Sequence, residues 1–313
     1  MRFYLAPLEG ITGDIYRTTV MDHFGQGIDA CFAPFIYPCD KRALAPRDRV
    51  QLCPENNHGF RLIPQVMSDK ADAVLELEKE LMDLGFDTYN LNMGCPSGTV
   101  SSKGRGAGFL KRTEELDRFL DELYAGTSCK ISVKTRLGMH DPDEFYEILE
   151  IYNRYPISEL IIHPRVRDDF YKGMSRTEYF TYAMSHSRMP LCYNGDINSV
   201  EDYEARLSEF GLPGEGTDQV PAVMLGRGMI KDPSLIRQLS GGAPADQKEL
   251  KAFLDQLADR YKERLSGDTP VLYKMKEVWS YLIASFPDHD KTYKKILKSK
   301  KLAEYRAAVE ELF

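Results

Sequence analysis

Residues 130–165 read KISVKTRLGMHDPDEFYEILEIYNRYPISELIIHPR and contain two short β-rich runs on either side of one amphipathic stretch. The runs are KISVKTRLG (130–138) and ELIIHPR (159–165). The stretch between them, 141–155, has apolar residues at helical spacing and acidic residues near its start. A strand followed by a helix and a second strand is typical of a parallel pair, because parallel strands need a long crossover. This segment therefore predicts a βαβ unit.

The same unit recurs along most of the chain. Candidate strands occupy 3–8, 30–36, 61–67, 88–94, 130–138, 159–165, 190–197 and 222–228, and amphipathic stretches lie between them, at 69–86, 113–124, 141–155 and 199–210. Eight strands with crossovers over about 240 residues match the size of a (β/α)8 TIM barrel, which places the chain in the α/β class. An open doubly wound sheet has the same periodicity and stays an alternative.

The strand pattern stops at Gly241-Gly242-Ala243-Pro244, and only helical periodicity follows, at 250–265, 271–286 and 291–313. We therefore expect a TIM-barrel catalytic domain at 1–242 and a small C-terminal all-helical domain at 243–313.

The charge of the chain is acidic but uneven. With 41 Lys and Arg against 48 Asp and Glu, the net charge of −7 disfavours nucleic-acid binding by bulk charge. Residues 245–313 carry 14 Lys and Arg against 12 Asp and Glu, or +2, which leaves −9 for residues 1–244. On one helix, six lysines of this tail would spread over about three turns; they are Lys291, Lys294, Lys295, Lys298, Lys300 and Lys301. Taken alone, this cluster is explained better by a solvated amphipathic helix than by an RNA contact.

The remaining composition excludes several classes. The start, MRFYLAPLEG, lacks the basic flank and apolar core of a signal peptide, and no run of about 18 apolar residues follows, so a cytoplasmic protein without membrane association is expected. The six cysteines form no C-x-x-C pair and have no His at ligand spacing, which predicts neither a metal site nor a disulfide framework. We expect a monomer.

Nearly every predicted strand ends in a polar or glycine-containing cluster, which favours the closed barrel, because barrel active sites lie at the carboxyl ends of the strands. The last two clusters are Asn194-Gly195-Asp196 and Gly226-Arg227-Gly228. Loops at these two places often hold a phosphate, since glycines let backbone N–H groups approach it. Arg227 would add charge, and 229–238 would form the short helix of such a site. The alternative is a simple tight turn.

Four further side chains fit a ligand site at this rim. Lys134 and Arg136 lie two apart in a strand and face the same side. An unpaired charge inside a barrel is costly, so Lys134 predicts a ligand contact. His163 is interpreted in the same way, although a structural histidine is an alternative. Gln65 ends the third run and offers an amide that both donates and accepts hydrogen bonds.

The stretch NLNMGCPSGTVSSKGRGAGFL (90–110) places Cys95 directly after a predicted strand. The loop that follows contains four glycines, which is typical of a mobile cover over a site. A cysteine at this place acts as a nucleophile, as a proton donor or as an inert buried residue, and the residues alone leave all three open.

These motifs resemble those of the bacterial tRNA-dihydrouridine synthases, FMN enzymes with a barrel and a C-terminal helical domain. The most specific part is N-L-N-M-G-C-P at 90–96 with K-G-R-G-A-G at 103–108. Support comes from A-P-L-E-G-I-T at 6–12, V-K-T-R-L-G at 133–138, N-G-D-I at 194–197 and L-G-R-G at 225–228. The resemblance covers essentially the whole chain. Leu8, Asn90 and Pro164 depart from it, because the family pattern more often has Met, Asp and Gly there.

The resemblance implies a role for each motif. Cys95 is similar to the general acid and Asn92 to a residue that meets the target uridine; we add Arg136 and Arg165 as expected substrate contacts. The implied FMN contacts are Pro7, Leu8, Glu9, Gln65, Lys134, His163, Asn194, Gly195, Asp196, Gly226 and Arg227.

The implied reaction is the reduction of a uridine in tRNA to 5,6-dihydrouridine. NADPH or NADH would reduce the flavin, hydride would pass from flavin N5 to uracil C6, and Cys95 would protonate C5 from the opposite face. A thiol with an ordinary pKa of about 8.5 is largely protonated at neutral pH. The tRNA would turn the target base out into the site, and the lysines of the tail would hold its phosphates.

Two other functions stay open at this point. A flavin barrel that acts on a free pyrimidine or a small enone would explain the phosphate site and Cys95 but not the helical domain, and it predicts activity on free nucleoside. A non-catalytic RNA-binding protein predicts no bound flavin and no effect of Cys95→Ala.

Overall fold

The computed structural model describes residues 1–38, 44–211 and 222–313. Its strands are β1 (Arg2–Leu5), β2 (Ile28–Phe32), β3 (Leu62–Ile63), β4 (Gln65–Val66), β5 (Thr88–Met93), β6 (Lys130–Gly138), β7 (Leu160–Val166), β8 (Leu191–Tyr193) and β9 (Ala222–Leu225). Its helices are α1 (Asp14–Phe24), α2 (Pro46–Leu52), α3 (Ala71–Asp83), α4 (Gly98–Ser101), α5 (Thr113–Gly126), α6 (Glu144–Tyr152), α7 (Thr177–His186), α8 (Val200–Glu209), α9 (Arg227–Lys231), α10 (Leu235–Leu239), α11 (Gln247–Arg264), α12 (Asp268–Leu282), α13 (Asp290–Lys298) and α14 (Leu302–Glu310).

The strands form one parallel sheet in the order β3-β2-β1-β9-β8-β7-β6-β5-β4. Only Pro64 separates β3 from β4, and it lacks the N–H that a continuous ladder needs. Its carbonyl still accepts from Asn90 N at 2.8 Å. Because β3 pairs with β2 and β4 pairs with β5, the two segments are halves of one strand. The sheet thus closes into eight positions, which confirms the TIM barrel and excludes the open sheet.

Every predicted strand is present, but most are shorter than the apolar runs from which they were predicted. In the second run, 30–36, the strand ends at Phe32, and Ile36 makes only an isolated bridge to Val66. In the seventh run the strand ends at Tyr193. The polar clusters after β1, β8 and β9 therefore lie in loops beyond the strand ends, at one rim of the barrel.

Two apolar layers hold the barrel together. Small and aromatic side chains fill its interior: Tyr4, Ala6, Ala30, Phe32, Ile63, Ile161, Cys192, Ala222 and Met224. A larger cluster lies between the strands and the surrounding helices and continues into the C-terminal helices through Phe253 and Trp279.

Among the described residues, no helix is long and apolar enough to cross a membrane.

Two stretches that were predicted as continuous helices are each divided into two helices. The stretch 229–238 is not one helix, because α9 ends at Lys231 and α10 begins at Leu235, after Pro233 has interrupted the backbone bonding. The stretch 291–313 divides into α13 and α14. In the break, Glu304 accepts from Lys300 N and Asp268 accepts from Leu302 N, both at 2.8 Å.

The break changes the distribution of the lysines in the tail. Lys291, Lys294, Lys295 and Lys298 lie on α13, whereas Lys300 and Lys301 lie between the helices. All six are exposed, and Lys295 pairs with Glu311 at 2.7 Å. The six lysines therefore do not share one helix.

The C-terminal helices contact the barrel beside its first helix and its rim. Helix α11 packs along α1, where Arg260 pairs with Asp22 at 2.6 Å and Arg264 with Asp14 at 3.0 Å. On α12, Lys274 donates a hydrogen bond to the carbonyl of Gly10, in the loop after β1. This arrangement places the helical region next to the rim that carries the polar clusters.

Arg17 gives a prediction on stability. It is fully buried and donates to Thr12 O, Gln51 O and Asn57 Oδ1, each at 2.7 Å. Arg17→Met leaves these buried acceptors without a donor, so we expect a loss of about 3 kcal/mol in the free energy of unfolding. Urea denaturation measures it.

The matched control for that prediction is Arg47→Met. The Arg47 side chain is 80% exposed and, among the residues that the structure describes, pairs only with the adjacent Asp48, so its loss changes the free energy of unfolding by less than about 0.5 kcal/mol. Equal midpoints for the Arg17 and Arg47 variants contradict the structural role of Arg17.

Candidate active site

Two adjoining cavities open at the carboxyl rim of the barrel. The first, called the Arg227 cavity, has a volume of about 510 Å³ and is lined by Ala6, Pro7, Leu8, Lys134, His163, Tyr171, Asn194, Gly195, Asp196, Ile197, Asn198, Gly226, Arg227 and Gly228. The second, called the Cys95 cavity, has a volume of about 540 Å³ and is lined by Pro7, Leu8, Glu9, Pro34, Phe35, Gln65, Asn92, Gly94, Cys95, Pro96, Lys134, Arg136, His163 and Tyr171. Five residues line both, so the cavities form one elongated cleft.

The cleft brings together fourteen of the fifteen site residues that the sequence predicts. Gln65, Asn92, Lys134, Arg136 and His163 lie within strands β4 to β7, and the others follow the ends of β1, β5, β8 and β9. Their meeting follows from the parallel barrel, which places every carboxyl end at one rim. The exception is Arg165.

Arg165 lies behind the Arg227 cavity and does not line either cavity. Its side chain is buried and pairs with Asp196 at 2.5 Å. It also donates to Gly173 O at 2.5 Å and to Ser175 Oγ at 3.2 Å. This placement does not support the expected contact of Arg165 with the substrate, because the guanidinium group already bonds to Asp196, Gly173 and Ser175.

Asp196 links this buried arginine to the cleft. Besides Arg165, it accepts from Arg227 at 3.0 Å and from Ser175 at 2.9 Å. Burial raises the pKa of Asp196, but the hydrogen bonds from Arg165 and Ser175 outweigh it and hold the pKa below its ordinary value. The carboxylate is thus ionised at neutral pH and fixes the guanidinium of Arg227 at the end of the cleft.

The loops after β8 and β9 meet closely at this end. A Cβ atom on Gly228 would lie 2.3 Å from the carbonyl of Ile197, so only glycine allows the approach. Asn194 donates to Met224 O at 2.8 Å, which fixes the same pair of loops. The glycines and Arg227 therefore form a compact, positively charged end that suits an anionic group.

Lys134 stands at the centre of the cleft, where the two cavities meet. Its backbone pairs with Asn92 of β5, but its ammonium group has no hydrogen-bond partner among the described residues. Burial lowers the pKa of Lys134 to about 8, and the charge of Arg136 acts in the same direction. An unpaired, partly buried cation is costly. It indicates a ligand that would supply the missing acceptor.

His163 lines both cavities in spite of Pro164. The pairing of β6 with β7 becomes irregular beyond Arg136 and His163, so the missing N–H of Pro164 falls where the ladder is already interrupted. Arg165 lies 3.0 Å from His163 Nε2. Burial lowers the pKa of His163 well below its ordinary value, and the charges of Arg136 and Lys134 lower it further. The ring is thus neutral, with Nε2 accepting and Nδ1–H available to a ligand.

Cys95 stands at the opposite end of the cleft from Arg227. Asn92 Oδ1 accepts from Gly94 N at 3.1 Å and from Cys95 N at 2.9 Å, and Arg136 Nε donates to Gly94 O at 2.9 Å. Burial raises the pKa of the thiol, against the opposing effects of the Ser97 N–H and the Arg136 charge. The thiol is therefore protonated at neutral pH and is held in one position.

Amide side chains form the floor of the Cys95 cavity. Gln65 donates to Asn90 Oδ1 and accepts from Asn92 Nδ2, both at 2.7 Å, and Asn90 donates to Ser132 at 2.9 Å. Asn90, which stands where the family pattern more often has Asp, thus belongs to a neutral network. The amide nitrogen of Asn92 carries two hydrogens and donates one to Gln65, so one N–H is left for a ligand. The amide oxygen of Asn92 is occupied by the backbone of Gly94 and Cys95.

The second half of the glycine-rich loop after Cys95 is packed into the fold, whereas Gly98, Thr99, Ser102 and Lys103 are exposed, and the role of this part as a mobile cover stays a prediction. Residues 106–110 are buried, and Ala107 N donates to Cys95 O at 3.1 Å. Gly106 has φ +55°, and a Cβ atom there would lie 2.9 Å from Cys95 O and 3.0 Å from Cys95 Cβ. The loop therefore supports the position of the thiol directly.

Gly106→Ala tests this support. Gly59 has φ +84° and open space around it, so Gly59→Ala carries the backbone strain without the steric contact. We expect Gly106→Ala to slow the chemical step by at least about tenfold through displacement of Cys95. Gly59→Ala changes only the thermal stability. Single-turnover rates of the two variants measure the difference, and equal rates contradict the support by Gly106.

The structure adds lining residues that the sequence analysis missed. Pro34 and Phe35 follow β2, and Tyr171 lies in the loop after β7. Tyr171 follows a segment without strand or helix periodicity, so no pattern singled it out. Among the described residues, no group of three or more His, Cys, Asp or Glu side chains is placed to hold a metal ion.

Comparisons with known proteins agree with this geometry. The family model for dihydrouridine synthase (Dus) matches residues 4–312. A tRNA-dihydrouridine(16) synthase of Pseudomonas putida is 31% identical over 302 residues, covering 92% of this chain and 90% of the relative. One of Haemophilus influenzae is 28% identical, covering 95% of each chain. Among solved structures, the old yellow enzyme from Trypanosoma cruzi shares the fold with a TM-score of 0.55 at 9% identity, covering 80% of this chain and 91% of that one.

Proposed function

Because the chain belongs to the dihydrouridine synthase family, we propose that it reduces the C5–C6 double bond of a uridine in tRNA to 5,6-dihydrouridine. One observation carries the proposal beyond the family: a single cleft joins an anion-binding end at Arg227, a lysine, Lys134, whose ammonium group has no partner in the described part of the chain, and a protonated thiol at Cys95. These are the parts that a flavin-dependent reduction of a polar double bond needs.

FMN fits the cleft. Its phosphate would lie at Gly226 and Arg227, and its ring system would extend past Lys134 and His163 towards the Cys95 cavity. Lys134 would supply a cation to the flavin, and the neutral His163 would supply an N–H donor. When bound and reduced by NADPH or NADH, the flavin supplies the hydride that the uracil receives at C6.

Cys95 would act as the general acid. Its thiol gives a proton to C5 of the uracil, forming the C–H bond as the S–H bond breaks and leaving a thiolate. The positive charges of Arg136 and Lys134 favour that thiolate, since both lower the pKa of Cys95 against the effect of burial. Asn92, with its one free N–H, and Arg136 are placed to orient the base.

The RNA would approach across the rim, next to the helical region. We assign tRNA recognition to residues 243–313, in which the lysines of α13 and the α13–α14 break are exposed. The relatives from Pseudomonas putida and Haemophilus influenzae are named for position 16, so we propose uridine 16 as the target. The expected location is the cytoplasm, where tRNA is available.

Fragment mass spectrometry of the RNA tests the proposal. Purified protein, NADPH and tRNA that lacks dihydrouridine are incubated together, and we expect a gain of two hydrogens at uridine 16 only. A gain at another position keeps the reaction and contradicts the assigned position. No gain at any uridine, with flavin bound, contradicts the proposed function and favours a small-molecule reductase.

A further inference from the structure

Tyr171 lies over the junction of the two cavities and lines both of them. Its ring centroid is 4.9 Å from Arg227 Cζ and 5.3 Å from Arg136 Cζ, and the ring of His163 is 6.0 Å away. One aromatic side chain thus contacts the cation of the anion-binding end and a cation beside Cys95. Both contacts fall within the range of cation–π attraction.

The residue stands at the mouth of the cleft and not in its interior. Tyr171 is 48% exposed, whereas His163 beneath it is buried. About half of the residue's surface therefore meets solvent, while the side chain also borders the space that a ligand spanning both cavities would cross. This placement makes the ring part of the outer wall of the cleft.

The backbone that carries Tyr171 is anchored from below. Phe170 has φ +51° and Gly173 has φ +67°, so the chain turns sharply on both sides of Tyr171. Arg165 donates to Lys172 O at 3.3 Å and to Gly173 O at 2.5 Å while it pairs with Asp196. The turn at 170–173 is thereby tied to the same carboxylate that fixes Arg227.

We propose that Tyr171 is a cofactor-retaining residue, which covers the middle of the bound FMN and slows its dissociation. The inference rests on the proposed function, because it assumes that FMN occupies the cleft. An aromatic wall would exclude water from the segment between the phosphate and the flavin ring, which strengthens the charge interactions at Arg227 and Lys134. Arg165 and Asp196 act as positioning residues for this wall.

The test compares Tyr171→Ala with Tyr171→Phe and, as control, Tyr273→Ala. Tyr273 is a 72% exposed tyrosine of α12 that lines neither cavity. Flavin fluorescence gives the association and dissociation rates of FMN with each purified protein. We expect Tyr171→Ala to raise the dissociation rate by about tenfold or more, with little change in association. Tyr171→Phe keeps the ring and stays within about twofold, and Tyr273→Ala stays at the wild-type rate.

Three outcomes overturn the inference. An unchanged dissociation rate in Tyr171→Ala shows that the ring does not retain FMN, and a slower one shows that it competes with FMN for the cleft. A Tyr171→Phe protein that releases FMN as fast as Tyr171→Ala shows that the hydroxyl group, and not the ring, retains FMN. If the wild-type protein binds no FMN at all, the proposed function fails together with the inference, whereas wild-type binding with an unchanged Tyr171→Ala rate refutes the inference alone.

Discussion

Cys95→Ala is expected to lower the rate of dihydrouridine formation by at least about 100-fold while FMN and tRNA still bind. The reason is that the thiol is the proton donor at the far end of the cleft, whereas the anion-binding end and Lys134 stay intact. Single-turnover reduction of tRNA by pre-reduced protein measures the chemical step, and FMN and tRNA affinities are determined on the same samples.

Cys129→Ala is the matched control for the Cys95 variant. Cys129 is a half-buried free cysteine that lines neither cavity, so its variant should keep the wild-type rate. The pH profile adds a second criterion: because burial raises the pKa of Cys95, the protonated acid persists above the ordinary value of about 8.5, and the rate falls only at higher pH. A Cys95→Ala protein with the wild-type rate refutes the acid role.

Lys134→Met is expected to weaken FMN binding by about 10-fold to 100-fold, the value of one charge-assisted hydrogen bond. The same substitution should stabilise the flavin-free protein, because it removes an ammonium group that has no partner among the described residues. Fluorescence titration with FMN and urea denaturation without FMN measure the two opposite changes. Lys130→Met, at the exposed opposite end of β6, should leave FMN affinity unchanged.

The dependence of FMN affinity on pH tests the same role of Lys134. The pKa of Lys134 is lowered to about 8 in the flavin-free protein, so the ammonium form is present below pH 8 and is lost as the pH rises. If FMN binds the charged form, wild-type affinity falls above pH 8, by up to about tenfold per pH unit. In Lys134→Met this contribution is absent. An affinity that falls equally in wild type and variant contradicts the assignment of Lys134 to the cofactor.

The barrel was predictable from the sequence because its signals are local. Apolar runs separated by amphipathic stretches predict parallel strands, and the polar clusters at the ends of eight such runs favour a closed barrel over an open sheet. The failures have both local and distant causes. Pro233 and the capping of Lys300 N and Leu302 N by the carboxylates of Glu304 and Asp268 end helices whose periodicity alone suggests continuation. One of those carboxylates, Asp268, belongs to another helix, so no window around the break reveals it.

The composition of the candidate site was predictable for a different reason: a closed parallel barrel gathers all strand ends at one rim. What sequence cannot reveal is which polar atoms are already satisfied by the protein. Arg165 resembles a substrate contact until its bonds to Asp196 and Gly173 are seen, and Asn92 has its oxygen occupied by the backbone of Cys95. Tyr171 was missed because it lies in a turn held by Arg165, and such a turn has no periodicity.

Reoxidation of the reduced flavin by RNA tests the central claim most directly. The protein is loaded with FMN, reduced anaerobically with one equivalent of NADPH and mixed with tRNA that lacks dihydrouridine, while the visible absorbance is followed. We predict that the flavin is reoxidised by this tRNA, with one uridine reduced per flavin, and that neither free uridine nor fully modified tRNA has the same effect. Reoxidation by free uridine at an equal rate, or none with any RNA, would contradict the account.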